Sequence, residues 1–298
     1  MNLTRYMQTA GGVGDGQTND AEDVGKIQLM LRHSGSSPHI KVDGSFGPGT
    51  LEAIKDFQSK VTKIVPDGKI DPYSDTFRAL QDKASPSIEH AGNPNLLARD
   101  KTQLGPADYA AAAKTLGCDV EAIKAVAIAE SKGNPFLGDG RPKILYEPHV
   151  FGGETQHQYD RAFPYVSRKV QIARSKGESY GTNSEQYVKL QLAMVLDREA
   201  ALRSVSWGRF QIVGKYWKLA GAANLKQFTE QISRSERSQL DQFVAFVKSK
   251  KLEGALKAHD WTKFAKGYNG ATYWKDNYDG KISDIYKKLV PPKAVAKK

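Results

Sequence analysis

Glu130 is the residue of this chain whose position most suggests chemistry. It stands near the end of the stretch 119–133, which the pattern predicts to be a helix with Asp119 as its N-cap and Gly133 as its left-handed stop. At about 100° per residue, Glu130 falls in the same sector as the apolar residues of this helix. Burial and the negative end of the helix dipole both favour a neutral carboxyl. We therefore expect the pKa of Glu130 to be raised, as a general acid working near neutral pH requires.

The helix alone leaves a second interpretation open. Glu130 could lie at the edge of the apolar face and reach water, or pair with Lys132 or Arg141. Most glutamates at helix ends have no chemical role. The choice between the two interpretations therefore depends on the rest of the chain.

Two further carboxylates follow the helix. Turn residues lead into 144–147, which reads as a short strand, and this brings Asp139 and Glu147 towards the end of the helix. Glu147 could serve as a second catalytic carboxylate or pair with Arg141 or Arg161. Asp139 lies in a turn between glycines, so we interpret it as structural.

Two later segments place polar and small residues inside apolar sequence. Ser206 and Gln211 belong to the run 205–212, and such local inconsistencies tend to mark functional sites. The second segment is Tyr268-Asn269-Gly270. Aromatic residues follow it and would suit stacking on sugar rings or helix packing equally well: Tyr273, Trp274 and Tyr278.

The elements that must position these residues are mostly helical, so we expect a mainly α fold with a short β-hairpin. Periodicity predicts helices at 106–113, 184–204, 235–250 and 254–267 in addition to the one that carries Glu130. The segment 83–96 has the composition of a linker. The chain is thus divided into a domain over 1–82, a linker over 83–96 and a domain over 97–298, with a disordered tail at 291–298.

The first domain uses one turn twice. Asp43-Gly44 and Asp67-Gly68 are separated by the same offset as Pro48 and Pro72. Thr50 is placed to cap a second helix, and Asp71 and Pro72 to begin a third. A first helix from about residue 20 completes a small three-helix module.

Charge is unevenly distributed between the two domains. Residues 1–82 contain nine Lys and Arg against eleven Asp and Glu, whereas the whole chain carries a net charge of +11. A basic second domain suggests a polyanionic partner, but no zinc-finger, RNP-like or helix-turn-helix pattern supports nucleic acid. The chain has no apolar run of membrane-spanning length, no signal sequence at its start and a single cysteine, Cys118, so we expect a soluble protein made in a reducing compartment.

Residues 22–82 resemble the peptidoglycan-binding domain found in many wall hydrolases. The matching positions are Ile27-Gln28, Asp43-Gly44-x-Phe46-Gly47-x-x-Thr50 and Ala53-Ile54-Lys55-x-Phe57-Gln58. The resemblance implies a targeting module that binds bacterial peptidoglycan. Asp43, Phe46 and Gln58 are its candidate binding residues, although turn formation explains them as well.

The second domain resembles the lysozyme-like superfamily, and more narrowly the N-acetylmuramidase domain of modular bacteriophage endolysins. The motifs are Ala129-Glu130-Ser131, the run from Asp139-Gly140-Arg141-Pro142-Lys143 to His149-x-Phe151, Ser206-Trp207-Gly208-x-Phe210-Gln211-Ile212, and Tyr268-Asn269-Gly270. The resemblance implies that Glu130 is the catalytic acid. It places Ser206, Gln211, Tyr268 and Asn269 along the sugar-binding cleft.

Two chemistries stay open for such an enzyme. A hydrolase would use a second carboxylate, by preference Glu147, to orient water or support positive charge. A lytic transglycosylase would need only Glu130, because the 6-hydroxyl of the substrate attacks.

Other classes of protein have weaker support. The histidines show no metal-ligand spacing, Cys118 has no recognisable histidine context, and no cofactor is implied. A non-catalytic wall-binding or virion protein would not need Glu130. We expect a monomer that waits in the host cytoplasm, and the resemblance implies a holin as partner and leaves room for binding to an anionic outer membrane.

Overall fold

The computed structural model describes residues 3–100, 102–172 and 178–290, and it confirms the mainly α class. The tail expected at 291–298 lies outside the described residues. The chain forms two compact units, and neither is continuous in sequence. Unit 1 comprises Met1–Asn95 and Tyr146–Ser204, and unit 2 comprises Leu96–Leu145 and Val205–Lys298.

The helices are numbered in chain order: α1 (Ala21–His33), α2 (Pro48–Phe57), α3 (Asp75–Ala91), α4 (Pro106–Leu116), α5 (Val120–Ser131), α6 (Pro148–Glu154), α7 (Asn183–Leu196), α8 (Arg198–Arg203), α9 (Leu225–Arg234), α10 (Glu236–Ser249), α11 (Glu253–Lys257), α12 (Trp261–Asn269) and α13 (Tyr278–Leu289). The strands are β1 (Val13–Gly14), β2 (Lys69–Ile70), β3 (Ile144–Tyr146), β4 (Val205–Trp207) and β5 (Ile212–Val213). Along the described residues, none of the helices has the length and apolar character needed to cross a membrane.

Unit 1 contains the predicted three-helix module. The first helix starts where predicted, and Asp20 caps it, since its side chain accepts a hydrogen bond from the Glu22 N–H. The apolar faces of α1, α2 and α3 are buried together, and the antiparallel pair β1–β2 sets Val13 opposite Ile70. The module also packs against α7 through α3.

Two helix starts in this module differ from the prediction. The second helix begins at Pro48, with Gly47 as N-cap, so Thr50 lies inside the first turn. The third helix begins at Asp75, because Ser74 caps it by accepting a hydrogen bond from the Phe77 N–H. The sequence contains two competing local signals at each of these starts.

Residues 83–91 of the predicted linker are helical and belong to α3. Ala84 and Ile88 continue the apolar row of Phe77 and Leu80 at spacings of three and four, and all four side chains are buried. Pro86 lies inside α3 and removes one backbone donor. Burial of that row outweighs the loss, so the helix continues through a segment whose composition suggested a loop.

The helix predicted over 184–204 is two helices. Thr182 and Glu185 form a capping box that begins α7. At Asp197 the backbone becomes extended (φ −155°), and the Asp197 carboxylate accepts a hydrogen bond from the Ala200 N–H to start α8. A capping residue in the middle of the apolar pattern therefore divides it.

Unit 2 is built around α5, which packs against α4 and α13, while α10 packs against α4 and α9. An aromatic cluster fills its core: Phe210 stacks on Phe243 at 4.2 Å, and Tyr268 lies 5.2 Å from Phe246 and 5.3 Å from Phe264. The sheet order is β3-β4-β5, with Trp207 opposite Ile212 in the antiparallel hairpin. The helix predicted over 254–267 is divided into α11 and α12, because Asp260 caps a new start at Trp261.

Candidate active site

The site begins with the way α5 starts and stops. Asp119 is its N-cap as predicted, since its carboxylate accepts a 2.7 Å hydrogen bond from the Ala122 N–H. The left-handed stop comes one residue earlier than predicted, at Lys132 (φ 57°), whose N–H bonds to the Ile128 carbonyl. Gly133 also has a positive φ of 79°. Glu130 therefore lies in the last turn, one residue before the final helical position.

Glu130 is half-buried and faces the end of α12. The Asn269 side-chain amide donates a hydrogen bond to Glu130 Oε1 at 3.2 Å. The pKa of Tyr268 is raised well above its usual value, chiefly by burial and then by the charge of Glu130. The carboxylate thus lies within electrostatic range of both residues of the predicted Tyr-Asn pair.

Tyr268 connects the end of α12 to the β4–β5 hairpin. Its hydroxyl donates to the Phe210 carbonyl at 2.7 Å, and its ring is buried in the aromatic cluster. Gly270 follows with φ 87° and ends the helix. The chain direction of α12 and the position of the hairpin turn are therefore set by the same side chain.

The turn of this hairpin has a left-handed backbone at two positions. Gly208 (φ 69°) lies so close to the Gln239 side chain that a Cβ there would meet its Oε1 at 2.6 Å. Gln211 (φ 49°) is half-buried, and its amide donates to the Gly208 carbonyl at 2.8 Å. Ser206 is buried within β4. The structure thus brings the predicted residues Ser206, Gln211, Tyr268, Asn269 and Glu130 into one unit.

Arg209, between these positions, forms a buried ion pair with the first residue of α10. Its guanidinium lies 2.7 Å from Glu236 Oε2, with the two side chains 13% and 8% exposed. Its N–H donates to Gln239 Oε1 at 2.7 Å. An arginine in an otherwise apolar run is therefore explained by a partner on α10, and the pair anchors the turn.

Lys143 belongs to one of the sequence motifs, but the sequence by itself predicts no role for it. Its ammonium donates to the Ser131 carbonyl at 2.6 Å, at the end of α5. Its own carbonyl accepts from the Gly208 N–H at 2.7 Å. One feature of the sequence indicates such a role: the last turn of α5 contains no basic residue, although the negative end of the helix dipole favours one there.

The other two candidate carboxylates have different surroundings. Glu147 lies in unit 1 as the residue before α6; its side chain is 14% exposed and 3.8 Å from His149 Nε2. Asp139 pairs with Arg141 at 2.7 Å, and hydrogen bonding from Arg141 lowers the pKa of Asp139. Asp139 therefore has the structural role that we expected, while the catalytic role of Glu147 stays a prediction.

In the three-helix module of unit 1, Gln28 and Gln58 hold the two Asp-Gly turns in the same way. The Gln28 carbonyl oxygen accepts from the N–H groups of Asp43 and Gly44, and that of Gln58 accepts from the Gly68 N–H. Gln58 is fully buried and also donates to Asp67 at 2.6 Å. Any contribution of Gln58 to binding therefore acts through the turn. Asp43 and the half-buried Phe46 lie at the first turn, and their role in binding stays a prediction.

The described residues give little support to metal or thiol chemistry. Among them, no three His, Cys, Asp or Glu side chains form a group that could hold a metal ion. Burial, and then the charge of Asp119, raises the pKa of Cys118 to about 11. The Cys118 thiolate is therefore scarce at neutral pH, which does not suit a nucleophile.

Comparisons with known proteins agree with this geometry. The family model described as N-acetylmuramidase matches residues 119–290, and the model described as a putative peptidoglycan binding domain matches residues 20–80. The crystal structure of Burkholderia AP3 phage endolysin is similar to the chain, with a TM-score of 0.55 and 32% sequence identity over 89% of this chain and 94% of that one. No curated protein matches the chain.

Proposed function

The chain belongs to the N-acetylmuramidase family, and from that premise we propose that it is an endolysin whose Glu130 is the general acid. The family makes it a glycoside hydrolase that acts on peptidoglycan. The bond that we assign to it is the β-1,4 linkage between N-acetylmuramic acid and N-acetylglucosamine. The role in host cell lysis rests on the similarity to a phage endolysin.

The hydrogen bond between Asn269 and Glu130 carries the assignment of the acid. It ties the only glutamate in the last turn of α5 to the Tyr268-Asn269 segment at 3.2 Å, and Tyr268 in turn binds the hairpin turn through Phe210. Three separate motifs are thus linked by one chain of contacts that ends at a half-buried carboxyl group. A glutamate with a purely structural role would not require the other two motifs.

The proposed chemistry uses that carboxyl group as a proton donor. Glu130 protonates the glycosidic oxygen as the bond to it breaks and the sugar develops oxocarbenium character. Asn269 fixes the orientation of the carboxyl group, and Ser206, Gln211 and Tyr268 shape the surface beside it. Glu147 is the proposed second carboxylate, which would orient the attacking water.

The N-terminal module would hold the enzyme on its substrate. Peptidoglycan is therefore both the binding partner of that module and the substrate of the second domain. We also propose that the protein is a monomer that stays in the host cytoplasm until a holin opens the membrane and then acts in the periplasm. The basic second domain would favour contact with an anionic outer-membrane surface.

Mass spectrometry of soluble fragments released from purified peptidoglycan tests the proposal. The wild-type protein should release fragments ending in reducing N-acetylmuramic acid, and Glu130→Gln should release almost none. Glu121→Gln is the matched control, because it makes the same change in the first turn of the same helix. Anhydro ends would indicate a lytic transglycosylase instead. Full activity of Glu130→Gln would remove Glu130 from the mechanism.

A further inference from the structure

Lys143 joins three segments of unit 2. Its N–H donates to the Pro135 carbonyl at 2.9 Å, and its carbonyl accepts from the Gly208 N–H at 2.7 Å. Its ammonium donates to the Ser131 carbonyl at 2.6 Å. One residue therefore ties the end of α5 to the loop that follows it and to the turn between β4 and β5.

The ammonium lies where α5 most needs a positive charge. The last carbonyls of a helix have no intrahelical partner and carry a partial negative charge. The last turn of α5 contains no basic residue, and Glu130 adds a carboxyl group there. Ser131, whose carbonyl Lys143 binds, is the next residue in the chain. The Ser131 carbonyl also accepts from the Asn134 N–H at 3.3 Å, so Lys143 adds a shorter, charged hydrogen bond and opposes the local negative field in the turn that holds Glu130.

Placing this cation carries a desolvation cost. Lys143 is half-buried, and burial, with the charge of Lys132 as the second cause, lowers its pKa. Water or an exposed lysine would satisfy the same carbonyl at less cost. A costly polar arrangement beside a candidate catalytic group is a feature of functional sites rather than of stability alone.

We propose that Lys143 is a positioning residue for Glu130, an inference that rests on the proposed function of that glutamate. Its ammonium holds the last turn of α5 so that the Glu130 carboxyl group stays at the Asn269 amide. Its charge also affects the balance between the protonated and ionised acid. Tyr278, at the start of α13, is a further titratable group near Tyr268, and Lys132 follows α5 directly.

The test uses full-length protein and soluble, uncrosslinked glycan strands as substrate. Lys143→Met removes the ammonium but keeps the aliphatic stem, Lys143→Gln keeps a neutral donor, and Lys143→Arg keeps the charge. Lys132→Met is the matched control, because it removes an exposed charge from the same helix end. Glu130→Gln is measured in parallel. Circular dichroism melts show which variants are folded.

We expect Lys143→Met to lower kcat by roughly 10- to 100-fold with little change in KM, as a small displacement of an acid does. Lys143→Arg should restore most of the activity, and Lys143→Gln should lie between the two. The alkaline limb of the pH–rate profile should move to higher pH in the Met and Gln variants, because loss of a nearby cation favours the protonated acid. Lys132→Met should move the limb less.

Two results would overturn the inference. One is a kcat for folded Lys143→Met or Lys143→Gln that equals that of Lys132→Met; the other is an alkaline limb that does not move in either variant. If Glu130→Gln keeps full activity, the proposed function fails instead, so the two failures are distinguishable. If the Met variant does not fold, the Gln and Arg variants still decide the question.

Discussion

Removing either partner of the Arg209–Glu236 pair should destabilise unit 2 strongly. We consider Arg209→Met and Glu236→Leu, together with the double variant. Each single substitution leaves one charge that is largely buried, since the wild-type side chains are 13% and 8% exposed. Glu236 also accepts a 3.2 Å hydrogen bond from the Leu104 N–H, which Glu236→Leu removes.

The expected loss of unfolding free energy follows from the burial and geometry of the pair. Breaking a buried ion pair by removing one partner costs about 3–5 kcal/mol, because the remaining charge is desolvated without compensation. The Arg209 Nε is buried and has no hydrogen-bond partner among the described residues, and besides Glu236 the guanidinium makes a long 3.4 Å hydrogen bond to the Tyr109 hydroxyl. The double variant replaces both charges by apolar groups and should cost less than the sum of the two by about 2–3 kcal/mol.

Urea denaturation followed by circular dichroism and tryptophan fluorescence measures these costs from the midpoints, provided that the m-value is unchanged. The surface pair Arg237–Asp241, with side chains 54% and 60% exposed, is the control. It is broken by Asp241→Asn, because Arg237 also pairs with Asp108, and its loss should cost at most about 0.5 kcal/mol. Two results would contradict this prediction: equal losses of unfolding free energy for the buried and surface pairs, or a loss in the double variant equal to the sum of the two single losses. Either would mean that the Arg209–Glu236 pair does not stabilise the turn.

Two further predictions concern the hairpin turn and the start of α5. Gly208→Ala should lower the free energy of unfolding by roughly 1–3 kcal/mol and reduce activity, because the left-handed backbone and the Gln239 side chain leave no room for a Cβ; urea melts and fragment release measure both. Burial alone would raise the pKa of Asp119, but hydrogen bonds from His259, the Ala122 N–H and Tyr286 outweigh it and lower that pKa. The charge of Asp119 therefore stabilises the fold above the pKa of an unfolded aspartate, about 4, and this stabilisation is lost as the pH falls through the lower folded value. The difference in unfolding free energy between wild type and Asp119→Asn should accordingly shrink from about pH 5 to about pH 2 in a urea titration, and a constant difference would contradict the linkage.

Local signals in the sequence were sufficient for much of the secondary structure. Asp119 caps its helix as predicted, and α1 begins at the predicted start with Asp20 as its cap, because an N-cap bond joins residues two or three positions apart and depends on little else. The repeated Asp-Gly turns were also recognisable. The motifs around Glu130, Ser206 and Tyr268 were enough to indicate the family, which the family model confirms.

Local signals failed where two of them competed. Asp71 and Ser74 are both acceptable caps, and the structure uses Ser74. The Ser-Pro-Ser composition after residue 83 suggested a linker, but burial of Ala84 and Ile88 keeps the chain helical. Asp197 lies within a continuous apolar pattern and still divides α7 from α8. Burial decides the case of Ala84 and Ile88, and a short window of sequence does not contain that energy. At Ser74 and Asp197 the choice among local caps decides where a helix begins.

Only the tertiary structure decided which distant residues meet. The sequence by itself determined the helix that carries Glu130, its cap and the motifs that identify its family. The contact between Glu130 and Asn269 joins residues 139 positions apart, and that between Arg209 and Glu236 joins two separate elements. Lys143 acquires its place at the end of α5 in the same way, through a side chain from the segment before β3. Such contacts arise from how helices and turns pack, because hydrogen bonds between remote segments require a fixed backbone on both sides.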